Sequence, residues 1–353
     1  MRIMPETVEK YREYYFDTVK KLLLTPSPSG YYREVMKVVK ELAEAEGCEF
    51  YLTRKGCGVI TVPGKDRERA VGACAHCDTL GAMVRSVDSA GGINFTTVGG
   101  PSLPSLDGEY CTVITRDGRK YGGTFLSKSP AVHVYRDSGT RARDCDNMYV
   151  RLDETVKSAD DVKALGIENG DYICFDPKTT VTESGFLKSR FIDDKASVAC
   201  LLTAVHIMHD SGFVPETDIV ILVTMYEEVG HGASYLPRDI ESMLGVDMGC
   251  IGDDLQCTEY DVSICAKDSR GPYDYEMTSA LVTLAKENGL SHAVDIYPFY
   301  GSDVGAMWTG GNDVPGALIG TGVHASHGME RTHWSGISNT VALILLHFGM
   351  KNV

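Results

Sequence analysis

The feature that most limits what this chain can fold into is an interruption. Two stretches in which apolar strands alternate with amphipathic helices are separated by a long run dominated by turns. In the first stretch Val35, Val38, Val39 and Leu42 recur at helical spacing and Gly47 closes that helix. Residues 69–75 then predict a buried strand leading into His76. In the second stretch Val198, Leu201, Leu202 and Val205 predict another amphipathic helix, and DIVILVTM (218–225) predicts a fully buried strand. Strand-like residues 262–266 and 294–297 and a closing helix over 341–347 complete it. Such alternation indicates a layered α/β domain. Between about residues 88 and 186 the texture changes. Gly91-Gly92, Gly99-Gly100, Asp117-Gly118, Gly122-Gly123 and Asn169-Gly170 punctuate short strand-like runs at 93–98, 110–115, 132–135 and 172–175. Asp117-Gly118 between two such runs predicts a hairpin. The expected organisation is one α/β domain, residues 1–87 and 186–353, interrupted by a small all-β domain over 88–185.

Composition narrows the function. Of 353 residues, 34 are Lys or Arg and 49 are Asp or Glu, a net charge of −15. That balance argues against a nucleic-acid partner, which needs clustered cations to replace counterions on phosphate. The longest apolar runs, 219–225 and 341–346, fall short of the ~20 residues that span a bilayer. The charged opening MRIMPETVEK has no signal-like apolar segment, so no membrane partner and a cytoplasmic location are expected. The eleven cysteines are odd in number and scattered through apolar runs, which predicts reduced thiols. Cys74 and Cys77 match C-x-x-C without a second such pair. In an extended chain those two side chains point apart, whereas His76 and Asp78 share a face.

The chemistry-bearing residues gather at the predicted strand ends: His76 and Asp78, Asp193-Asp194, Glu227-Glu228, Asp247, and His327. Singly, each has an ordinary explanation; Asp193-Asp194, for example, could cap a helix. Glu227-Glu228, however, follow directly on a strand read as buried, and desolvating two carboxylates is costly unless a cation compensates. As neighbours at an extended strand end they are expected to point to different sides, which disfavours a glycosidase pair. Together the ordered set looks like a dinuclear metallopeptidase, in which each metal takes one His and one carboxylate and a further carboxylate bridges. Three such carboxylates against two divalent cations leave charge for one shared hydroxide.

More narrowly, the chain resembles the tetrahedral (TET) aminopeptidases, which include glutamyl and deblocking aminopeptidases. The resemblance rests on AHCDTLGAMV (75–84), RFIDDKAS (190–197), YEEVGHGAS (226–234), GVDMG (245–249), YGSDVGA (300–306) and SHGMERTH (326–333), and covers nearly the whole chain. It implies a three-layer α/β metallopeptidase domain with a β-barrel inserted between the first and second ligands. It implies two divalent metal ions per chain, zinc by default, with cobalt or manganese as alternatives. It also implies peptide substrates and a homo-oligomer built from dimers, up to a dodecamer. Residue by residue, His76 would be a ligand oriented by Asp78, and Asp193 the bridge, joined to Asp194 by a cis peptide. Glu227 would be the general base, with Glu228 and Asp247 as further ligands; Asp253 and Asp254 are rivals to Asp247. For the last ligand, GVHASHGMERTH offers His324, His327 and His333; His327, with Glu330 three residues on, stands first and His333 second. Ser302 and Asp303 would lie near substrate or serve a turn, and His231 would be a surface residue. The implied activity is removal of N-terminal residues from peptides by a metal-bound hydroxide, with a deacylase acting on small N-acyl substrates as the alternative. A non-catalytic module would require lost ligands, and every ligand type is present.

Overall fold

The computed structural model describes residues 3–352. In chain order the strands are β1 (Glu49–Leu52), β2 (Gly58–Val62), β3 (Asp66–His76), β4 (Gly81–Val87), β5 (Ile93–Val98), β6 (Tyr110–Ile114), β7 (Lys120–Ser127), β8 (Met148–Leu152) and β9 (Tyr172–Phe175). They continue with β10 (Thr180–Val181), β11 (Phe186–Ser189), β12 (Thr217–Thr224), β13 (Met243–Val246), β14 (Gly249–Cys250), β15 (Val262–Asp268), β16 (Gly271–Pro272), β17 (His292–Ile296), β18 (Gly316–Val323) and β19 (Glu330–His333). The chain divides into two units. One runs through Asp78 and resumes at Lys178; the other is Thr79–Pro177.

The first unit is built on a ten-stranded mixed sheet whose path is β1-β2-β12-β3-β13-β18-β15-β16, with β14 beside β18 and β17 beside β15. Its central strands are buried without alternation: all four residues of β13, all eight of β18, and β12 from Asp218 to Thr224. A strand buried on successive residues has both faces covered, so the unit is a three-layer α/β structure. The helix Ile192–Ser211 touches β3, β13 and β18 as well as the helices Arg12–Leu23 and Trp334–His347. From Ile192 to Val205 every residue of it is buried, so a helix expected to be amphipathic is enclosed around its circumference.

The second unit is a closed barrel in the order β4-β5-β8-β7-β6-β9. Phe125 meets Phe95 and Phe175 edge to face, with ring centroids 4.9 and 5.3 Å away. The Asp117-Gly118 hairpin forms, pairing Ile114 with Lys120, and Gly118 supplies the positive φ of 86° that the turn requires. Two expectations differ. The barrel unit begins at Thr79, not 88, because β4 pairs with β5 and β9 and no turn signal separates it from the preceding strand. It ends at Pro177, because β10 and β11 pair with each other and with β19. Residues 132–135 form turns, not a strand: Val132 is 76% exposed and Val134 71%, so their alternation with polar neighbours marks no buried face.

Candidate active site

Three neighbouring strands deliver the site. β12 and β13 both run parallel to β3, with Thr224 paired to His76 and Gly245 to Cys74, so their carboxyl ends lie side by side. Crevices at such ends are where α/β sheets bind ligands. His76 is the last residue of β3, Glu227-Glu228 follow β12, and Asp247 follows β13. Asp193 enters from the start of the helix Ile192–Ser211, and His327 from the turn between β18 and β19. The peptide between Asp193 and Asp194 is cis.

Asp193 stands at the centre. Its Oδ1 lies 3.1 Å from His76 Nε2, and its Oδ2 lies 3.6 Å from His327 Nε2. His327 Nε2 is also 3.6 Å from Glu228 Oε2, and Glu227 Oε2 is 3.8 Å from His76 Nε2. His76 Nδ1 donates to the carbonyl of Asp78 at 2.9 Å. That donation fixes a proton on Nδ1 and aims Nε2 at the carboxylates, where it bonds Asp193 Oδ1 when protonated and would offer a lone pair to a cation that takes the proton's place. Asp78 therefore orients His76 through its backbone carbonyl, with its carboxylate Oδ1 3.5 Å from the same Nδ1. That carboxylate also accepts the N–H of Glu227 at 3.1 Å, the N–H of Glu228 at 3.3 Å and the hydroxyl of Ser29 at 2.5 Å. These bonds turn the chain into a short 3-10 turn at Glu227–Val229. The two glutamates consequently do not straddle an extended strand end as expected; Glu227 approaches His76 and Glu228 approaches His327.

The rival histidines lie elsewhere. His333 Nδ1 accepts from Ser335 N at 3.0 Å and its Nε2 donates to Ser184 O at 2.8 Å, which makes it the cap of the closing helix. His324 is exposed, as are Asp253 and Asp254. His231 stacks on Tyr226 with centroids 4.9 Å apart. His327 adopts φ 61°, a left-handed conformation uncommon outside glycine, and its N–H donates to Glu330 Oε1 at 3.0 Å. Ser302 and Asp303 point inward, not to the cleft. Asp303 is buried, bonds Thr224 Oγ1, and accepts the N–H of Ala233 at 2.7 Å, so it holds the loop after the two glutamates.

Two further contributors emerge: the sequence names Glu330 only as a neighbour of His327, and Gly320 not at all. Glu330 receives the N–H groups of both Asp193 and His327, one on each oxygen. Gly320 in β18 lets that strand approach Asp247, whose carbonyl oxygen a Cβ there would overlap. For Glu330 the available signal was its offset of three from His327; for Gly320 there was none beyond its place in an apolar run.

Buried, crowded carboxyls are costly to ionise without a cation. Burial pushes the carboxyls of Asp194, Glu227, Glu228 and Glu330 well above their usual range, with neighbouring carboxylates adding to it, and pushes Asp247 up to about 7. His76 responds in the opposite sense to its burial, because Asp193, Asp78, Asp247 and Glu227 hold its pKa well above normal. Asp194 Oδ1 and Glu228 Oε1 are buried with no hydrogen-bond partner. Two overlapping groups bring ligand atoms within 4.8 Å of one another: His76, Asp193 and Glu228, and His76, Asp194 and Asp247. A histidine Nε2 aimed at buried carboxylates, two of which have an unpaired oxygen, is a donor set suited to a borderline divalent metal, which would displace the Nε2 proton. The cleft above it measures about 500 Å³.

A family model described as M42 glutamyl aminopeptidase matches residues 56–343. The chain belongs to the M42 peptidase family. YhfE of Bacillus subtilis (strain 168), an aminopeptidase by name, is 41% identical over 329 residues, 93% of this chain and 95% of its own. Among solved structures, a TET aminopeptidase from the archaeon Thaumarchaeota archaeon SCGC AB-539-E09 superposes with a TM-score of 0.85 at 21% identity, covering 97% of each chain. The TET1 peptidase of Pyrococcus horikoshii gives a TM-score of 0.81 at 20% identity over 94% of this chain and 98% of its own. At those identities the structural likeness establishes the fold: an α/β unit carrying a closed barrel. As an M42 peptidase the protein is a peptide hydrolase of the aminopeptidase class, and the family is metal-dependent.

Proposed function

We propose that this M42 aminopeptidase acts through two divalent cations held by His76, Asp193, Glu228, Asp247 and His327, with Glu227 as general base. The observation that carries the reading is the position of Asp193: each of its oxygens faces the Nε2 of a different histidine, at 3.1 and 3.6 Å. A carboxylate presenting one oxygen to each of two imidazoles is what a bridging ligand requires. Zinc is the default for such His and carboxylate donors, with cobalt or manganese compatible. When bound, the cations would polarise the scissile carbonyl and acidify water at neutral pH.

The remaining work falls to the chain. Glu227 Oε2 would take the proton of the attacking water and pass it to the leaving amine, completing hydrolysis of the N-terminal peptide bond. Asp78 would keep Glu227 in reach by gripping the turn that carries it. Glu330 would hold Asp193 and His327 in one frame. Three further expectations accompany the reading: a homo-oligomer built from dimers, up to a dodecamer; a cytoplasmic location; and no nucleic-acid or membrane partner. The first is supported by the Pyrococcus horikoshii TET1 peptidase, which assembles into a tetrahedron or a large octahedral shell. The second rests on the scattered placement and odd number of the eleven cysteines in the sequence. No helix among the described residues is long and apolar enough to cross a membrane.

Glu227→Gln tests the assignment. Peptidase activity should fall by at least ~100-fold, the usual contribution of general base catalysis, while elemental analysis still finds two metals per chain. Retained activity, or a variant that has lost its metal, would count against Glu227 as base. Wild-type protein that binds well under one metal per chain would count against the centre itself.

A further inference from the structure

The family description names glutamyl substrates, yet the cleft over the centre offers no lysine or arginine to complement an acidic side chain. Its charged lining consists of four carboxylates, Asp193, Glu227, Glu228 and Asp247, together with His327; no lysine or arginine among the described residues lines it. The four carboxylates face the centre, so none is left to pair with a cationic side chain either. The other lining side chains are neutral: Met248, Cys250, Phe299, Tyr300 and Ser326. Burial pushes the Cys250 thiol up to about 12, so it stays protonated. Tyr300 spends its hydroxyl on the carbonyl of Met248 at 3.1 Å, tying the loop after β17 to the segment after Asp247. Phe299, next to it, is 97% exposed at the mouth of the cleft. A wholly exposed phenylalanine makes no contribution to a core, and its ring gains only when something apolar covers it.

Building on the aminopeptidase reading, we propose that Phe299, with Met248 and Cys250, forms the wall that receives the side chain of the substrate's N-terminal residue. The enzyme therefore selects apolar N-terminal residues, such as leucine, methionine or phenylalanine, over acidic and basic ones. A glutamyl carboxylate at this wall would shed water without gaining a cationic partner, and a lysyl ammonium would find no uncommitted carboxylate; both cost binding energy in the transition state as well as the ground state. An aliphatic or aromatic side chain would cover the exposed ring and release water from both surfaces.

The test is a panel of leucyl, phenylalanyl, lysyl and glutamyl 4-nitroanilides with zinc-loaded protein. Leucyl or phenylalanyl substrate should exceed both charged ones by about 30-fold in kcat/KM, within the range a hydrophobic pocket achieves. Phe299→Arg should invert part of this preference, raising the glutamyl-to-leucyl ratio by about tenfold or more, chiefly through KM. Phe299→Leu should keep the wild-type order. Because Phe299 is exposed, both variants should melt with the wild type. A glutamyl or lysyl optimum in the wild type would overturn this inference and leave the aminopeptidase reading standing. A glutamyl-to-leucyl ratio unmoved by Phe299→Arg would overturn the role of Phe299. Inactivity on every substrate with zinc bound would overturn both readings.

Discussion

Glu330 holds the backbone of Asp193 by a hydrogen bond of 3.0 Å from the Asp193 N–H to Glu330 Oε2. Its other oxygen takes the N–H of His327 at the same length. One buried side chain thus sets the spacing between a carboxylate and a histidine separated by most of the second half of the chain. Glu330→Gln keeps one acceptor and replaces the other with an NH₂ group that opposes an N–H. Metal affinity should drop by about 10–100-fold, the usual effect of disturbing groups that support ligands. Titration calorimetry of the metal-stripped protein would measure it; unchanged affinity would separate Glu330 from the centre.

Asp78 makes a related prediction with a different readout. Its carboxylate accepts from Glu227 N, Glu228 N and Ser29 Oγ, while its carbonyl holds His76. Asp78→Asn preserves the carbonyl and spoils the grip on the turn, because one of its two side-chain groups becomes a donor. The expected outcome is a fall in kcat of about 10–100-fold, in keeping with supporting residues at metal sites, with two metals retained. Metal loss matching the activity loss would show that the residue acts on His76 instead.

His347, near the end of the closing helix, gives a pH prediction away from the site. Burial lowers its pKa to about 4 from the ordinary 6.5. The folded chain therefore keeps this imidazole neutral where the unfolded chain protonates it. Its contribution to stability is present above about pH 6.5 and is lost as pH falls from there toward 4. At pH 5 the loss should be on the order of 1–2 kcal/mol. Thermal melts at pH 7.5 and pH 5 should show a smaller difference for His347→Gln than for the wild type; equal differences would remove His347 as a source of acid sensitivity.

Much of this was legible in the sequence, for identifiable reasons. Glu227-Glu228 and Asp247 follow strands whose residues are buried on both faces, so a continuous apolar run ending in acids is visible without coordinates. The barrel is announced by Gly91, Gly99, Gly118 and Gly170, each at positive φ, whereas Gly122-Gly123, expected to mark a turn, lie inside β7. Legibility failed where geometry depends on distant partners. His327 and His333 share one short segment, and what separates them is a turn with Ala325 and His327 at φ 59° and 61°, stabilised by Glu330. No local propensity assigns left-handed backbone to an alanine, and histidine's mild tendency toward it does not choose between His327 and His333. The turn of Glu227-Glu228 escapes the sequence for the same reason, since it is held by Asp78 in the segment after β3. Residues 132–135 failed oppositely: strand-like alternation was present with no sheet for it to join.

The close passage of β18 beside Asp247 has a consequence for how mutations in this protein should be read. Position 320 touches no substrate and offers no ligand, yet any side chain there collides with the main chain that aims Asp247. A loss-of-function screen would therefore recover Gly320 alongside the acids and histidines, and score it as part of the chemistry. What such a screen would be detecting is a strand-to-strand clearance that only the absence of a Cβ permits.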